Sequence, residues 1–352
     1  MNAVQLLTPD GQRREHPEFP LDVTADELRE LYREMVLTRR FDAEATALQR
    51  QGELGLWIPS LGQEAAQTGS VRGFGDRDML FPSYREHGVA LARGVTPEQL
   101  LSMFRGATLS GWDPEKYRLG VYMVVLGAQT LHAVGYAMGI QRDGGDEAVG
   151  VYFGDGASSQ GDVCEAMNWA SVFGAPVVFC CQNNQWAISA PASRQSRTPL
   201  YQRAPGFGFP GVLVDGNDVL AVLAVTRWAA ERAKAGEGPT FIESFTYRLG
   251  PHTTSDDPSR YRSDAEVEEW QRRDPISRLR LYLEASDAAD KTFFADVDRA
   301  ADEIAAQTRR DCFEMPLPSG EQLFDHVYAD AHADLALERR AYLAYAESFL
   351  DM

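Results

Sequence analysis

Lysine is nearly missing from this chain of 352 residues. It occurs only at Lys116, Lys234 and Lys291, so arginine supplies almost all of the 34 basic side chains, and no basic cluster is available to track a nucleic-acid backbone. Acidic side chains number 52, which leaves a net charge of -18 and argues further against nucleic acid as a partner. Cysteine is scarce as well. Cys164, Cys180, Cys181 and Cys312 lack metal-ligand spacing, and the pair in "PVVFCCQNN" reads as small buried residues, which suits a reducing cytoplasm. Long apolar runs are lacking: no stretch of 18 apolar residues occurs, and the opening "MNAVQLLTPDGQRREHPEFP" has no apolar core before a cleavage site. The expectation is a soluble cytoplasmic protein, neither exported nor bound to a membrane. Internal repeats and low-complexity tracts are absent too.

What is present is enough apolar content, 44% of residues, to bury a large core. An arm rich in proline and charge occupies residues 1–23. Thr24 and Glu27 in "TADE" then form a capping box, and Leu28, Leu31, Met35, Leu37 and Phe41 keep a helical repeat up to Gly52. From there to about residue 250, strand-like runs alternate with helical ones. Strands are predicted at 79–83, 149–153, 176–182, 211–215 and 239–247, with a helix over 219–235 between the last two. That alternation implies a mainly parallel sheet covered by helices on both faces, an α/β architecture of three layers. Beyond Ser263 the pattern is helical and charged. Three segments follow: the arm 1–23, an α/β domain 24–262 and a helical extension 263–352.

The stretch "VGVYFGDGASSQGD" (149–162) carries the first chemistry. An apolar strand runs into Gly154-Asp155-Gly156, and a helix is predicted from Asp162 to about Val172. Strand, glycine turn and helix N-terminus together make a place for an anion, because free backbone N–H groups converge there. A dinucleotide site would need G-x-G-x-x-G and an acidic residue ending the next strand. Here the third glycine comes only at Gly161, and the next strand ends in Gln182-Asn183-Asn184. "GFGFPG" (206–211) matches the fingerprint by letter, yet it precedes a strand instead of following one and reads as a loop. A metal-bridged diphosphate fits better. Asp155 offers a hard oxygen at one strand end, Asn184 an amide oxygen at the next, and Mg²⁺ takes such ligands together with phosphate oxygens. On adjacent parallel strands the two would stand side by side at the carboxyl edge of the sheet, where ligands of such folds bind.

"GDG" followed by "NN" after 26 intervening residues, with "FPSYREHGVALARG", "FCCQNNQWAIS", "VDGNDV" and "TYRLGPHTTSDDPSRYR", resembles one family. It is that of the alpha subunit of the thiamine-diphosphate-dependent decarboxylase, the first component of 2-oxo acid dehydrogenase complexes. The likeness runs from about Leu31 to Leu279. It implies that residues 24–262 form a thiamine-diphosphate-binding fold. It also implies that Asp155, Asn184 and the backbone carbonyl of Trp186 bind Mg²⁺, while the N–H groups of Gly156 and Ala157 meet the diphosphate. Tyr84 and Arg85 would reach the same diphosphate, a role suited to a forked guanidinium. Val124 and Leu126 fall where the family places a backbone contact to the aminopyrimidine and an apolar wedge, and Gly154 and Ala187 count among the cofactor contacts. His252 matches a histidine close to the reacting carbon and is the catalytic candidate. Some relatives have Arg where this chain has Gln182, which removes a positive charge near the phosphates.

Taken singly, these residues have plainer readings. Arg85 would be a surface ion pair, Leu126 a core residue, and His252 a solvated histidine in an exposed, mobile loop. The resemblance also says what to expect from other chains. The glutamate that activates the cofactor belongs to a beta subunit, in an α₂β₂ assembly, and Glu64 in "LGQEAAQTG" reads as an ordinary helix residue. The acyl group would pass to a lipoyl group on a separate acyltransferase. Leu56 and Trp57 in "GLWIPS", near Ser83, offer an apolar wall that favours a branched-chain 2-oxo acid. Pyruvate or acetoin is the alternative within the family; a nicotinamide-dependent oxidoreductase and a noncatalytic scaffold are the alternatives outside it.

Overall fold

The computed structural model describes residues 3–108, 110–316 and 318–349. Thr24 opens the first long helix, Ala25–Arg50, and its capping box is complete: the Glu27 N–H donates to Thr24 Oγ1 at 3.2 Å, and the Thr24 N–H donates to Glu27 Oε2 at 2.8 Å. Seven strands follow among the described residues. They are β1 (Met79–Phe81), β2 (Val149–Gly154), β3 (Val177–Asn183), β4 (Trp186–Ala187), β5 (Ala190–Pro191), β6 (Gly211–Asp215) and β7 (Thr240–Phe245). β1, β2, β3, β6 and β7 are the five expected from sequence, with only their ends adjusted. They form one parallel sheet in the order β1-β2-β3-β7-β6, while β4 and β5 pair antiparallel in a separate small ribbon.

Both faces of the sheet are buried, which is why its strands read as continuous apolar runs. Val149, Val151, Phe153, Phe179 and Cys181 pack on one side against the helices Ala128–Asp143 and Gly161–Phe173. Tyr152, Val178, Cys180 and Ile242 face the other side, toward the helices Ala25–Arg50 and Val219–Lys234. Cys180 and Cys181 thus point to opposite layers as small core residues, and both are free thiols. Helix Glu64–Val71 is buried along its whole length. Its Gly69 lies against helix Val219–Lys234 so closely that a Cβ would sit 2.7 Å from the Val219 carbonyl oxygen.

The N-terminal arm is seated on the sheet. Val4 makes a parallel bridge to Val214 of β6, and the N–H groups of Leu6 and Leu7 both donate to Asp218 Oδ2 at 2.6 Å. Asp218 uses its other oxygen to cap helix Val219–Lys234 through Leu220 and Ala221. At the opposite margin Leu119 bridges to Leu80 of β1. The C-terminal part is helical, as expected: Asp264–Gln271, Pro275–Ala285, Lys291–Glu314 and Ala333–Glu347. Lys291–Glu314 packs along Ala25–Arg50, whereas Ala333–Glu347 buries none of its residues and rests on the short turn Gly320–Phe324. No helix among the described residues is long and apolar enough to cross a membrane.

Candidate active site

A cavity of about 380 Å³ opens at the carboxyl ends of β2 and β3. In the sheet register Gly154 stands opposite Gln182, so Asp155 and Asn184 leave neighbouring strands side by side, as their spacing predicts. The helix after the glycine turn begins at Gly161, one residue earlier than expected, and a single 3-10 turn, Ala157–Ser159, comes between. This corrects the source of the anion donors. The N–H groups of Gly156 and Ala157 lead that short turn and donate to nothing else in the described chain, so the turn, and not the longer helix, presents them to the cavity. Gly156 is required by packing: a Cβ there would sit 2.6 Å from the Ala187 Cβ. At Gly154 the nearest atom to an added Cβ is 4.0 Å away, which leaves room on the cavity side.

The oxygen donors are already engaged. Asp155 Oδ2 accepts from Gln195 Nε2 at 2.9 Å, and burial pushes the Asp155 carboxyl up to about 6. Asn184 Oδ1 accepts from the Trp186 N–H at 3.2 Å while its amide donates to Gln63 Oε1 at 3.1 Å. The Trp186 carbonyl accepts from Arg248 Nη1 at 2.9 Å. The ribbon that carries Trp186 and Ala187 is tight. Gln185 and Ile188 hold φ values of 70° and 54°, and a β-branched residue in that region marks local strain at the rim of the cavity.

One buried arginine, Arg85, lines the cavity, and a second, Arg248, stands behind His252 and the ribbon. Arg85 is buried, not a surface residue; it donates to the Pro59 carbonyl, to the His252 carbonyl at 3.1 Å and to His252 Nδ1 at 3.1 Å. Arg248, fully buried, donates to the Trp186 and Ile188 carbonyls and to the Tyr261 hydroxyl. Neither forms an ion pair with a carboxylate among the described residues. Burial lowers both from the usual arginine value, the expected penalty for a cation without a counter-ion. His252 is half-buried and fastened, not solvated: its N–H donates to Asp256 Oδ2 at 2.8 Å, and Thr254 in the same loop exchanges hydrogen bonds with the Trp57 backbone.

Every residue singled out from the sequence as a cofactor or metal contact lines this cavity, Tyr84, Val124 and Leu126 included. Val124 and Leu126 form its open side, and Leu126 is partly exposed, not core. Trp57 is the exception among the substrate candidates. Its ring is fully buried, stacked 4.3 Å from His87, with Nε1 donating to Asp42 at 2.8 Å. In an extended segment alternate side chains face opposite ways, so Leu56 and Ile58 form the apolar wall and Trp57 forms the core behind it. Glu64 does not line the cavity; it pairs with Arg39 at 2.8 Å.

Among the lining residues that the sequence did not single out are Ile58, Gln63, Glu86 and Gln129. Glu86 accepts from Ser83 and Gln182, which fixes the loop bearing Tyr84 and Arg85. Gln63 keeps a buried Nε2 and Gln129 a buried Oε1 without partners among the described residues, and Ile58 supplies part of the wall. Arg248 stands behind them. "LGQEAAQ" and "TYRLGPH" contain Gln63 and Arg248, but only the three-dimensional pairing of Gln63 with Asn184 and of Arg248 with His252 marks them.

Free N–H groups, the orphaned Gln63 Nε2 and the uncompensated Arg85 guanidinium around one carboxyl edge, with Arg248 behind, suit a ligand with several anionic oxygens. Such an edge defines an α/β enzyme that works with a phosphorylated cofactor. Comparison with known proteins narrows the class: the family described as dehydrogenase E1 component matches residues 32–312, and this chain belongs to it. It is 46% identical over 340 residues to the 3-methyl-2-oxobutanoate dehydrogenase subunit alpha of Mycobacterium tuberculosis, covering 96% of this chain and 93% of that protein. It is 39% identical to the pyruvate dehydrogenase E1 component subunit alpha of Staphylococcus epidermidis, over 96% and 92% of the two chains. The Staphylococcus aureus protein of that name is 41% identical over 80% of this chain and 76% of its own. Membership implies thiamine diphosphate as the cofactor, and the alpha-subunit names imply a beta subunit as partner.

Proposed function

We propose that this chain is the alpha subunit of a 2-oxo acid dehydrogenase that favours branched-chain substrates. With its beta partner in an α₂β₂ assembly, it would carry out oxidative decarboxylation and pass the acyl group to a lipoyl-bearing acyltransferase. The observation that carries the reading is that Asp155 and Asn184 leave adjacent parallel strands into one cavity that the buried Arg85 also lines, with Arg248 behind it. Asp155, Asn184 and the Trp186 carbonyl are the oxygens that would hold Mg²⁺. Gly156 and Ala157 N–H groups, with Tyr84 and Arg85, would hold the diphosphate, while Gly154, Ala187, Val124 and Leu126 would line the rest. When bound, thiamine diphosphate supplies the stabilised carbanion that side chains cannot. His252 stands at the end of the cavity nearest Arg85 and is the group suited to hydrogen-bond a reacting oxygen or sulfur.

Leu56 and Ile58 support a branched acyl chain, and so does the 46% identity to a subunit named for 3-methyl-2-oxobutanoate. Pyruvate is the second reading, favoured by the relatives named for it. A buried methylene contributes about 0.8 kcal/mol, so the preference is expected to be several-fold for each carbon and not absolute. The test is co-production with the beta subunit, followed by kcat/KM on 3-methyl-2-oxobutanoate and on pyruvate with a lipoylated acyltransferase. The branched acid should be preferred, and the alpha chain alone should be inactive. Full decarboxylation by the isolated chain overturns the two-subunit site, and a preference for pyruvate overturns the substrate assignment.

A further inference from the structure

The imidazole of His252 faces two groups that can only donate. Arg85 Nη2 lies 3.1 Å from His252 Nδ1, and Arg248 Nη1 lies 3.4 Å from the same nitrogen. A guanidinium has five N–H donors and no acceptor, and it stays protonated in proteins. Nδ1 must therefore offer its lone pair, and the single proton of the neutral ring belongs on Nε2. Both guanidiniums are also held by groups other than the imidazole. Arg85 is anchored on the Pro59 carbonyl, and Arg248 on the Trp186 carbonyl at 2.9 Å and on the Ile188 carbonyl and Tyr261 hydroxyl at 2.7 Å each.

The other charged or titratable groups nearby leave this arrangement intact. Tyr84 meets the imidazole edge-on with centroids 6.3 Å apart, and Asp256 Oδ2 serves the His252 backbone N–H and the Tyr261 hydroxyl, not the ring. Nε2 makes no hydrogen bond within the described chain, and His252 lines the cavity. Burial and the two guanidiniums hold the imidazole down to about 3, so it is neutral near pH 7.

We infer that Arg248 is a positioning residue which, with Arg85, locks His252 in the Nε2–H tautomer, so that the ring offers the cavity a neutral hydrogen-bond donor and not a transferable proton. A fixed neutral donor stabilises negative charge growing on an oxygen or sulfur without a proton having to leave the ring. The tautomer is independent of the function proposed above; the catalytic consequence rests on it.

The test uses the full chain with its partner subunit, labelled with ¹⁵N-histidine and observed by solid-state NMR, the His252 signals being assigned by their loss in His252→Gln. At pH 7 a protonated Nε2 and a bare Nδ1 are expected; an Nδ1–H ring or an imidazolium overturns the inference. In Arg248→Met only the Arg85 donor remains against Nδ1, so a minor Nδ1–H population should appear beside the Nε2–H ring, and Arg248→Lys, which keeps a donor, should remove it. A wild-type pattern in Arg248→Met assigns the lock to Arg85 alone and overturns the role given to Arg248. If the methionine variant does not fold, the wild-type spectrum and the lysine variant still decide. The second measurement is acylation of a lipoyl domain. The glutamine amide can stand where Nε2–H stood, so His252→Gln should remain within about tenfold of wild type, while His252→Ala loses about two orders of magnitude. Equal losses in the two overturn the neutral-donor role. Absence of acylation by the wild type would instead refute the proposed function and leave the spectra to judge the tautomer.

Discussion

Gln182 donates its side-chain amide to Glu86 at 2.6 Å and so ties the end of β3 to the loop that carries Tyr84 and Arg85. Gln182 Oε1 accepts from Gln67 Nε2 at 3.3 Å, and that Nε2 also donates to the Arg85 carbonyl at 2.9 Å. Sheet edge and arginine loop are therefore framed by one buried network. Gln182→Leu would leave Glu86 Oε1 without its donor and should cost about 1–3 kcal/mol, read as a lower midpoint in urea. Thiamine diphosphate binding, measured by calorimetry, should weaken with it. An unchanged midpoint would mean that the frame is redundant.

Asp155 offers a test with a defined sign in pH. Burial raises its carboxyl from 3.8 to about 6, so the native state binds this proton more tightly than the unfolded chain. Its contribution to stability is intact below about pH 4, is lost as the pH climbs to 6, and stands as a constant penalty above that. Asp155→Asn should therefore hold or raise the cofactor-free melting temperature at pH 8 and change it little at pH 4. The same variant should bind Mg²⁺ and thiamine diphosphate at least about tenfold more weakly, about 1.4 kcal/mol. Undiminished affinity would place the metal elsewhere.

Gly156→Ala probes the turn without altering charge. The new Cβ would fall 2.6 Å from the Ala187 Cβ, so the turn and the β4–β5 ribbon must separate. Overpacking of this kind costs about 1–3 kcal/mol. Calorimetry should show weaker diphosphate binding, and far-ultraviolet circular dichroism an intact sheet. Wild-type affinity would remove the turn from the binding site.

Asp42 controls the acyl wall from behind. One of its oxygens accepts from Trp57 Nε1 at 2.8 Å and the other from the Ser60 N–H at 3.1 Å, pinning the segment that presents Leu56 and Ile58. An asparagine has one acceptor oxygen, so Asp42→Asn must turn an N–H against one of these donors. The expected result is a smaller kcat/KM ratio between 3-methyl-2-oxobutanoate and pyruvate, with a stability loss of about 1–3 kcal/mol. A stable variant with the wild-type ratio would take Leu56 and Ile58 out of substrate selection.

The strands were legible because burial on both faces demands continuous apolar runs, and the Thr24 capping box because its two hydrogen bonds lie within four residues. Asp155 and Asn184 could be paired from sequence since β2 and β3 are neighbours in both chain and sheet. β7 could not be placed that way: it inserts between β3 and β6, and no local pattern encodes a crossover. Arg248 escaped notice for a similar reason. Its identity as a buried cation depends on Trp186, Ile188, Tyr261 and His252 meeting around it, contacts spread over 76 positions from Trp186 to Tyr261. Trp57 misled because an aromatic beside a site reads as a wall until the alternation of the extended segment is known.

The two margins of the sheet have a consequence for how chains can join. Val4 covers the β6 edge and Leu119 the β1 edge, so each outermost strand already meets a backbone of its own chain. Another molecule cannot lengthen this sheet by adding a strand without first displacing one of these covers. Association is left to side chains on helices and loops, where complementarity of shape and charge, instead of generic backbone hydrogen bonding, selects the partner. Cutting the chain just before Thr8 would strip the cover from β6 and release Asp218 from Leu6 and Leu7, turning a selective surface into an indiscriminately adhesive one.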